Sequence, residues 1–96
     1  MSDQHSDYIE KLKQRLDEWD AEIQKLRKQA ETVSIEARAA YEKQLVELRK
    51  QRDLAEKRLD EMRKSGESAY EEMRKGAEKA FNDLSEAVRA AWSRFS

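Results

Sequence analysis

Apolar residues in the first third of the chain recur at alternating intervals of three and four positions. Nearly every residue between them is charged or Gln. This spacing is the heptad pattern of a helix that winds against a partner helix. We call this stripe the N-terminal seam and predict that it is an interaction surface. Its members are Ile9, Leu12, Leu16, Trp19, Ile23, Leu26 and Val33.

The heptad pattern continues beyond the N-terminal seam. Residues 32–35 comprise two β-branched apolar residues, a Thr and a Ser, which are weaker helix formers than Ala. No Gly, Pro or Asn marks a turn there, however, and the apolar positions keep their phase on both sides. The pattern therefore predicts one continuous coiled-coil helix over residues 8–64, in which residues 32–35 form at most a local irregularity.

One charged residue, Arg52, falls on the apolar face of this long helix. Its aliphatic stem could pack among the apolar residues while the guanidinium reaches water. Alternatively, Arg52 could be a polar group that fixes the register of two paired helices. The sequence leaves both interpretations open.

The clearest break in the chain is at residues 65–68. Gly66 suits the left-handed conformation that often ends a helix. Ser68, with Glu71 three residues later, has the spacing of a capping box that starts a new helix. These signals divide the chain into an N-terminal tail (1–7), the long heptad helix (8–64), a turn (65–68) and a second, amphipathic helix (69–95).

The second helix carries an internal repeat of eleven residues. Ala69, Ala80 and Ala91 occupy equivalent positions, and an aromatic residue follows each of them. Eleven residues make three helical turns, so the apolar stripe runs almost straight along the helix. We predict that it packs against the second half of the long helix. The predicted hairpin core is Leu45, Leu48, Leu59, Met62, Tyr70, Met73, Phe81, Leu84, Val88, Trp92 and Phe95.

The lengths of these two helices link the fold to the oligomeric state. A helix over residues 8–64 would be about 85 Å long, and the second helix about half of that. In an antiparallel hairpin the N-terminal seam would then face water, and a long exposed apolar stripe is typically an association site. The expected fold is all-α, a helical hairpin that oligomerises into a bundle, with a homodimer favoured. A break near Ser34 would instead allow a monomeric three-helix bundle.

Composition narrows the classes of function. Charged residues make up 43% of the chain, yet the formal net charge is −1, so the two signs are interleaved. No nucleic-acid partner is expected, because such binding needs a continuous basic stripe. No apolar run is long enough for a signal-peptide core or a membrane span, and a cytoplasmic location is the expectation.

The residues that usually carry chemistry are scarce. There is no Cys, and the single His, His5, lies in the polar N-terminal tail. An acidic group around Asp17 and Asp20 has the pattern of a solvated helix face rather than of a metal site. There is no Gly-rich phosphate loop, and coiled coils offer little concavity. The sequence therefore predicts a protein that is not an enzyme and binds no metal or cofactor.

The predicted function is structural, exerted through self-association or through binding a helix of another protein. Two resemblances bear on it. The eleven-residue repeats of residues 65–96 resemble those of exchangeable apolipoproteins, synuclein-like proteins and perilipin-type coats, although few Lys flank the apolar face here. That resemblance implies a second function, peripheral binding to a lipid surface.

The whole chain also resembles short, uncharacterised coiled-coil proteins found in many bacteria. The shared features are a charged heptad helix, a Ser-Gly turn and a C-terminal Ala- and aromatic-rich helix that ends in an Arg-Phe pair, here Arg94-Phe95. This resemblance implies a coiled-coil fold and no particular activity.

Overall fold

The described chain folds as three α-helices in sequence. The computed structural model describes residues 2–95, with side chains for residues 7–94. The helices are α1 (Ser2–Thr32), α2 (Ile35–Lys64) and α3 (Glu67–Phe95). The molecule measures 52 × 18 × 17 Å, and a 30-residue helix is about 45 Å long, so the three helices lie side by side along the long axis. The expected all-α class is confirmed, in the form of the alternative three-helix bundle.

The predicted continuous helix over residues 8–64 is wrong, because the chain breaks between Thr32 and Ile35. Ser34 takes an extended conformation (φ −60°, ψ 161°) and serves as the N-cap of α2. Its Oγ accepts a hydrogen bond from the Ala37 N–H at 3.3 Å. The break falls inside the stretch where the sequence indicated at most an irregularity, and a side-chain cap replaces the Gly or Pro expected at a turn.

The end of α1 is held by a residue of the next helix. The last turn of α1 contains no basic residue, although a cation there would suit the helix dipole. Arg38, near the start of α2, supplies it instead. Its Nε donates to the Ala30 carbonyl at 3.3 Å and its Nη2 to the Glu31 carbonyl at 3.0 Å. Two of the carbonyls left without an intrahelical donor are thereby satisfied.

Folding back at Ser34 covers the N-terminal seam, which was expected to face water. Four of its members are buried, two more pack against the core from its edge, and Val33 is half-buried. The N-terminal seam is covered because α2 and α3 both lie against α1. In the hairpin expected from the sequence, only the second helix was available, and it reached only the other half of the long helix. The buried members are Leu12, Leu16, Ile23 and Leu26, and the edge members are Ile9 and Trp19.

The connection between α2 and α3 lies where the sequence predicted a turn, but α2 ends in a different way from the one expected. Gly66 does not adopt a positive φ, so the expected left-handed cap is wrong. The Ser65 hydroxyl donates to the Met62 carbonyl at 2.7 Å and ends α2 instead. Because α3 begins at Glu67 rather than at 69, Ser68 lies inside the first helical turn and not at the cap.

The hairpin core predicted from the sequence is part of one larger core. It merges with the N-terminal seam into a single apolar cluster, to which small residues of the eleven-residue repeat also contribute. The side chain of Phe95 lies outside the described residues. Of the other predicted members, Leu48, Leu59, Met62, Tyr70, Phe81, Leu84 and Val88 are buried, and Leu45, Met73 and Trp92 are partly buried.

Candidate helix-recognition site

The surface that α2 and α3 jointly present to α1 is the most specific feature of the bundle, and we call it the α1 docking surface. Its centre is the apolar cluster shared by all three helices. At its rim, besides the Arg38 bonds to the end of α1, three pairs of described side chains join α1 to the other two helices by hydrogen bonds. They are Asp20–Arg52, Tyr8–Glu78 and Glu22–Trp92.

The Asp20–Arg52 pair joins α1 to α2 in a bidentate arrangement. Arg52 Nε lies 2.7 Å from Asp20 Oδ1 and Nη2 lies 3.1 Å from Asp20 Oδ2. The same guanidinium contacts Asp53 at 3.2 Å and Glu56 at 2.8 Å. The hydrogen bonding of the Arg52 guanidinium to the Asp20 carboxylate is the main factor that raises the pKa of Arg52. A bidentate pair fixes both distance and orientation, so the Arg52 guanidinium binds the facing helix as well as packing its stem.

The charges one heptad before and after Asp20 on α1 disfavour the neighbouring registers. The positions one heptad before and after it, which lie on the same face of the helix, are Lys13 and Arg27. Sliding α1 by one heptad in either direction would therefore bring a cation against Arg52. Like charges placed face to face disfavour a wrong pairing, and together with the attractive pair they select the right one.

Tyr8 joins the first turns of α1 to α3. Its hydroxyl donates to Glu78 Oε1 at 2.8 Å, and Arg74 Nη1 donates to the same oxygen at 3.0 Å. The Arg74 guanidinium also lies over the Tyr8 ring, 5.8 Å from its centre. Burial, together with the hydrogen bond to Glu78, raises the pKa of Tyr8 to about 12. The hydroxyl therefore stays protonated, and able to donate, at any physiological pH.

Trp92 makes a second hydrogen bond between an aromatic side chain and a Glu, again joining α1 to α3, further along the bundle. Its Nε1 donates to Glu22 Oε2 at 2.9 Å. Glu22 follows Tyr8 by 14 positions and Trp92 follows Glu78 by 14 positions, so α1 and α3 run parallel in a constant register. The two contacts are separated by about 21 Å along the bundle, and together they hold α1 at two levels.

Sequence reasoning missed these three contacts, although it singled out some of their residues. Asp20 was explained as part of a solvated face, and Arg52 was left with two interpretations. The signal that could have found the pair is the alternation of charge at heptad-equivalent positions of α1, Lys13 then Asp20 then Arg27. A helix face exposed to solvent does not need charges that alternate in sign. A face that must place one carboxylate opposite Arg52 does need them.

Other concave features of the described residues are shallow. An open groove of about 450 Å³ lies between α1 and α2, lined by Ile23, Ala30, Leu45 and Val46 among charged side chains. Within the part of the chain that the structure describes, no group of three or more His, Cys, Asp or Glu residues could hold a metal ion. No helix in this part is long and apolar enough to cross a membrane.

Comparison with known proteins adds no relative to these observations. No family model, no curated protein and no solved structure matches the chain. The interpretation of the site therefore depends on its residues alone.

The two Trp residues give a matched test of the contacts between α1 and α3. Trp92→Phe removes the hydrogen bond to Glu22, whereas the Trp19 Nε1 is buried and has no acceptor among the described residues. We expect Trp92→Phe to lower the free energy of unfolding by about 1 kcal/mol more than Trp19→Phe. Urea unfolding followed by circular dichroism measures this difference. Equal losses would contradict the assigned Glu22–Trp92 contact.

Proposed function

We propose that the protein is a non-catalytic helical interaction protein that works by recognising a helix of the α1 type, and that its first partner is a second copy of itself. One observation supports this proposal: the pattern of charge on the face of α1 that lies opposite Arg52. Asp20 faces Arg52, and the heptad-equivalent positions of α1 carry the opposite charge. If α1 served only to bury apolar side chains, these positions of α1 would not need charges of opposite sign.

The chain itself carries a helix that fits the α1 docking surface, namely its own α1. In the bundle this surface is occupied by the α1 of the same chain, which is present at a high effective concentration. A second copy therefore competes only when α1 is released or when the protein concentration is high. Helices of other proteins would need the same apolar spacing and the same placement of carboxylates to compete.

The lipid-surface alternative would use residues that the bundle buries. Phe81, Leu84 and Val88 on the apolar face of α3 lie in the core, so α3 would have to leave the bundle before they could enter a membrane. The flanks of α3 carry both signs of charge, whereas interfacial helices on anionic lipid usually have basic flanks. These observations favour helix recognition over lipid binding.

Sedimentation velocity over a concentration range of about 1–500 µM tests the proposal. We expect the average mass to rise reversibly from the 11.4 kDa of one chain towards twice that value. Parallel samples with neutral and with anionic vesicles should show no protein carried with the lipid. A single monomeric species at every concentration would overturn self-association, and co-sedimentation with vesicles would favour the lipid alternative.

A further inference from the structure

The connection between α1 and α2 is unusually short and is compatible with a helix. It consists of Val33 and Ser34 alone. Ala30, Val33, Ala37 and Tyr41 continue the apolar stripe across it in steps of three, four and four. Nothing in this stretch forbids a straight helix, since Gly and Pro are absent from it.

Straightening the connection would exchange one set of hydrogen bonds for another. In a continuous helix the Ala30 and Glu31 carbonyls would accept from the backbone N–H groups of residues 34 and 35. These are the carbonyls that Arg38 holds in the bundle. The Ser34 cap would be lost, but the N–H groups it serves would gain backbone acceptors. The bent and straight forms therefore satisfy the same backbone groups with different partners.

We propose that two copies associate by exchanging α1. The chain straightens at Val33–Ser34, and the α1 of each copy occupies the α1 docking surface of the other. This inference rests on the proposed self-association and gives its mechanism. The apolar contacts of α1 are kept between the copies, as are Asp20–Arg52, Tyr8–Glu78 and Glu22–Trp92. Only the Arg38 bonds to the end of α1 are given up for backbone bonds. Exchange of an identical element is a low-cost route to a dimer for this reason.

The directions of the helices fit this arrangement. Asp20 pairs with Arg52, and Ala30 with Arg38, so residue numbers rise along α1 as they fall along α2. Two straightened chains can therefore lie antiparallel, each α1 beside the partner's α2 and parallel to the partner's α3. Each straight helix, from Ser2 to Lys64, would be about 95 Å long. Val33 and Ala37, half-buried at one end of the bundle, would meet their counterparts at the two-fold axis.

Substitutions at the connection between α1 and α2 can be chosen so that the bent form accepts them and the straight form does not. Ile35 is the first residue of α2 and is 83% exposed. Pro is favoured at that position, and Ser34 before it is already extended rather than helical, as a residue before Pro prefers to be. Ile35→Pro therefore fits the bundle, but in a straight helix its ring would clash with the Glu31 carbonyl. The matched control is Ile35→Ala, which both forms accept.

We expect Ile35→Pro to remain monomeric in sedimentation velocity at every concentration at which the wild type and Ile35→Ala dimerise. At a low concentration where both variants are monomeric, its melting temperature should match that of Ile35→Ala, which shows that the bundle is intact. Ser34→Ala removes a cap that only the bent form uses, and it should lower the dissociation constant of the dimer about thirtyfold, because both chains are affected.

A mixing experiment tests the exchange directly. Asp20→Arg alone and Arg52→Asp alone each place like charges together, both in the monomer and in a dimer of identical chains. In an exchanged heterodimer, the new Arg on one α1 meets the new Asp of the other chain, and the second interface keeps the original pair. Mixing the two variants should yield heterodimers at least tenfold more stable than either homodimer.

The outcomes distinguish the two proposals. If the wild type dimerises and Ile35→Pro dimerises equally well, exchange of α1 is overturned while self-association stands. If the charge variants fail to form heterodimers although the wild type dimerises, exchange is again overturned. If the wild type and Ser34→Ala both stay monomeric at all concentrations, both proposals fall.

Discussion

Replacing Leu26 with Asp should abolish the cooperative unfolding transition of the protein at 25 °C. Leu26 is only 1% exposed and lies in the apolar cluster near Tyr41, Leu48 and Ala91. The substitution forfeits about 2–3 kcal/mol of apolar burial and places a carboxylate where several kcal/mol are needed to bury it unpaired. The sum approaches the entire stability expected of a domain of this size, about 5–14 kcal/mol.

Far-ultraviolet circular dichroism during a urea titration measures this effect. The control is Val46→Asp, which makes a similar change at a position that is 55% exposed and should alter the free energy of unfolding by no more than about 0.5 kcal/mol. Wild-type unfolding of the Leu26→Asp variant would show that α1 is not packed against α2 and α3 in solution.

Truncating Phe81 to Ala should lower the free energy of unfolding by about 3–5 kcal/mol. Among the side chains that the structure describes, Phe81 is the largest that is fully buried. It stands at the middle of α3, so its removal leaves a cavity that the surrounding helices can fill only in part. The urea midpoint should fall, while the slope of the transition stays the same because the fold is retained.

The control for Phe81→Ala is Leu54→Ala, which shortens an apolar side chain that is 39% exposed. It should lower the free energy of unfolding by less than about 1 kcal/mol. A loss at Phe81 no larger than the loss at Leu54 would mean that the apolar stripe of α3 does not face the core.

The sequence predicted the faces of the helices better than their connections. The apolar period alone located the buried sides of α1 and α3, because burial repeats with the helical turn. Phe81, Leu84 and Val88 were assigned to the core from the eleven-residue repeat, and they are buried. The turn at residues 65–66 was also found, although Ser65 rather than Gly66 ends the helix.

The sequence favoured a continuous helix over the alternative break at Ser34 because local signals cannot decide between them. The apolar phase is the same on both sides of the break, so a continuous helix satisfies every local rule. The bent form gains its advantage from distant residues, since α3 covers the N-terminal seam and Arg38 caps α1. The Asp20–Arg52 pair was missed for a related reason, because its two members are 32 positions apart and meet within one chain only once that chain has bent.

The guanidinium of Arg38 also affects how the molecule opens. It reaches from α2 across the connection to the final carbonyls of α1. Fraying at the start of α2 therefore removes hydrogen-bond donors from the end of α1. Amide protons on the two sides of the connection should consequently exchange with solvent at similar rates, as one cooperative opening unit.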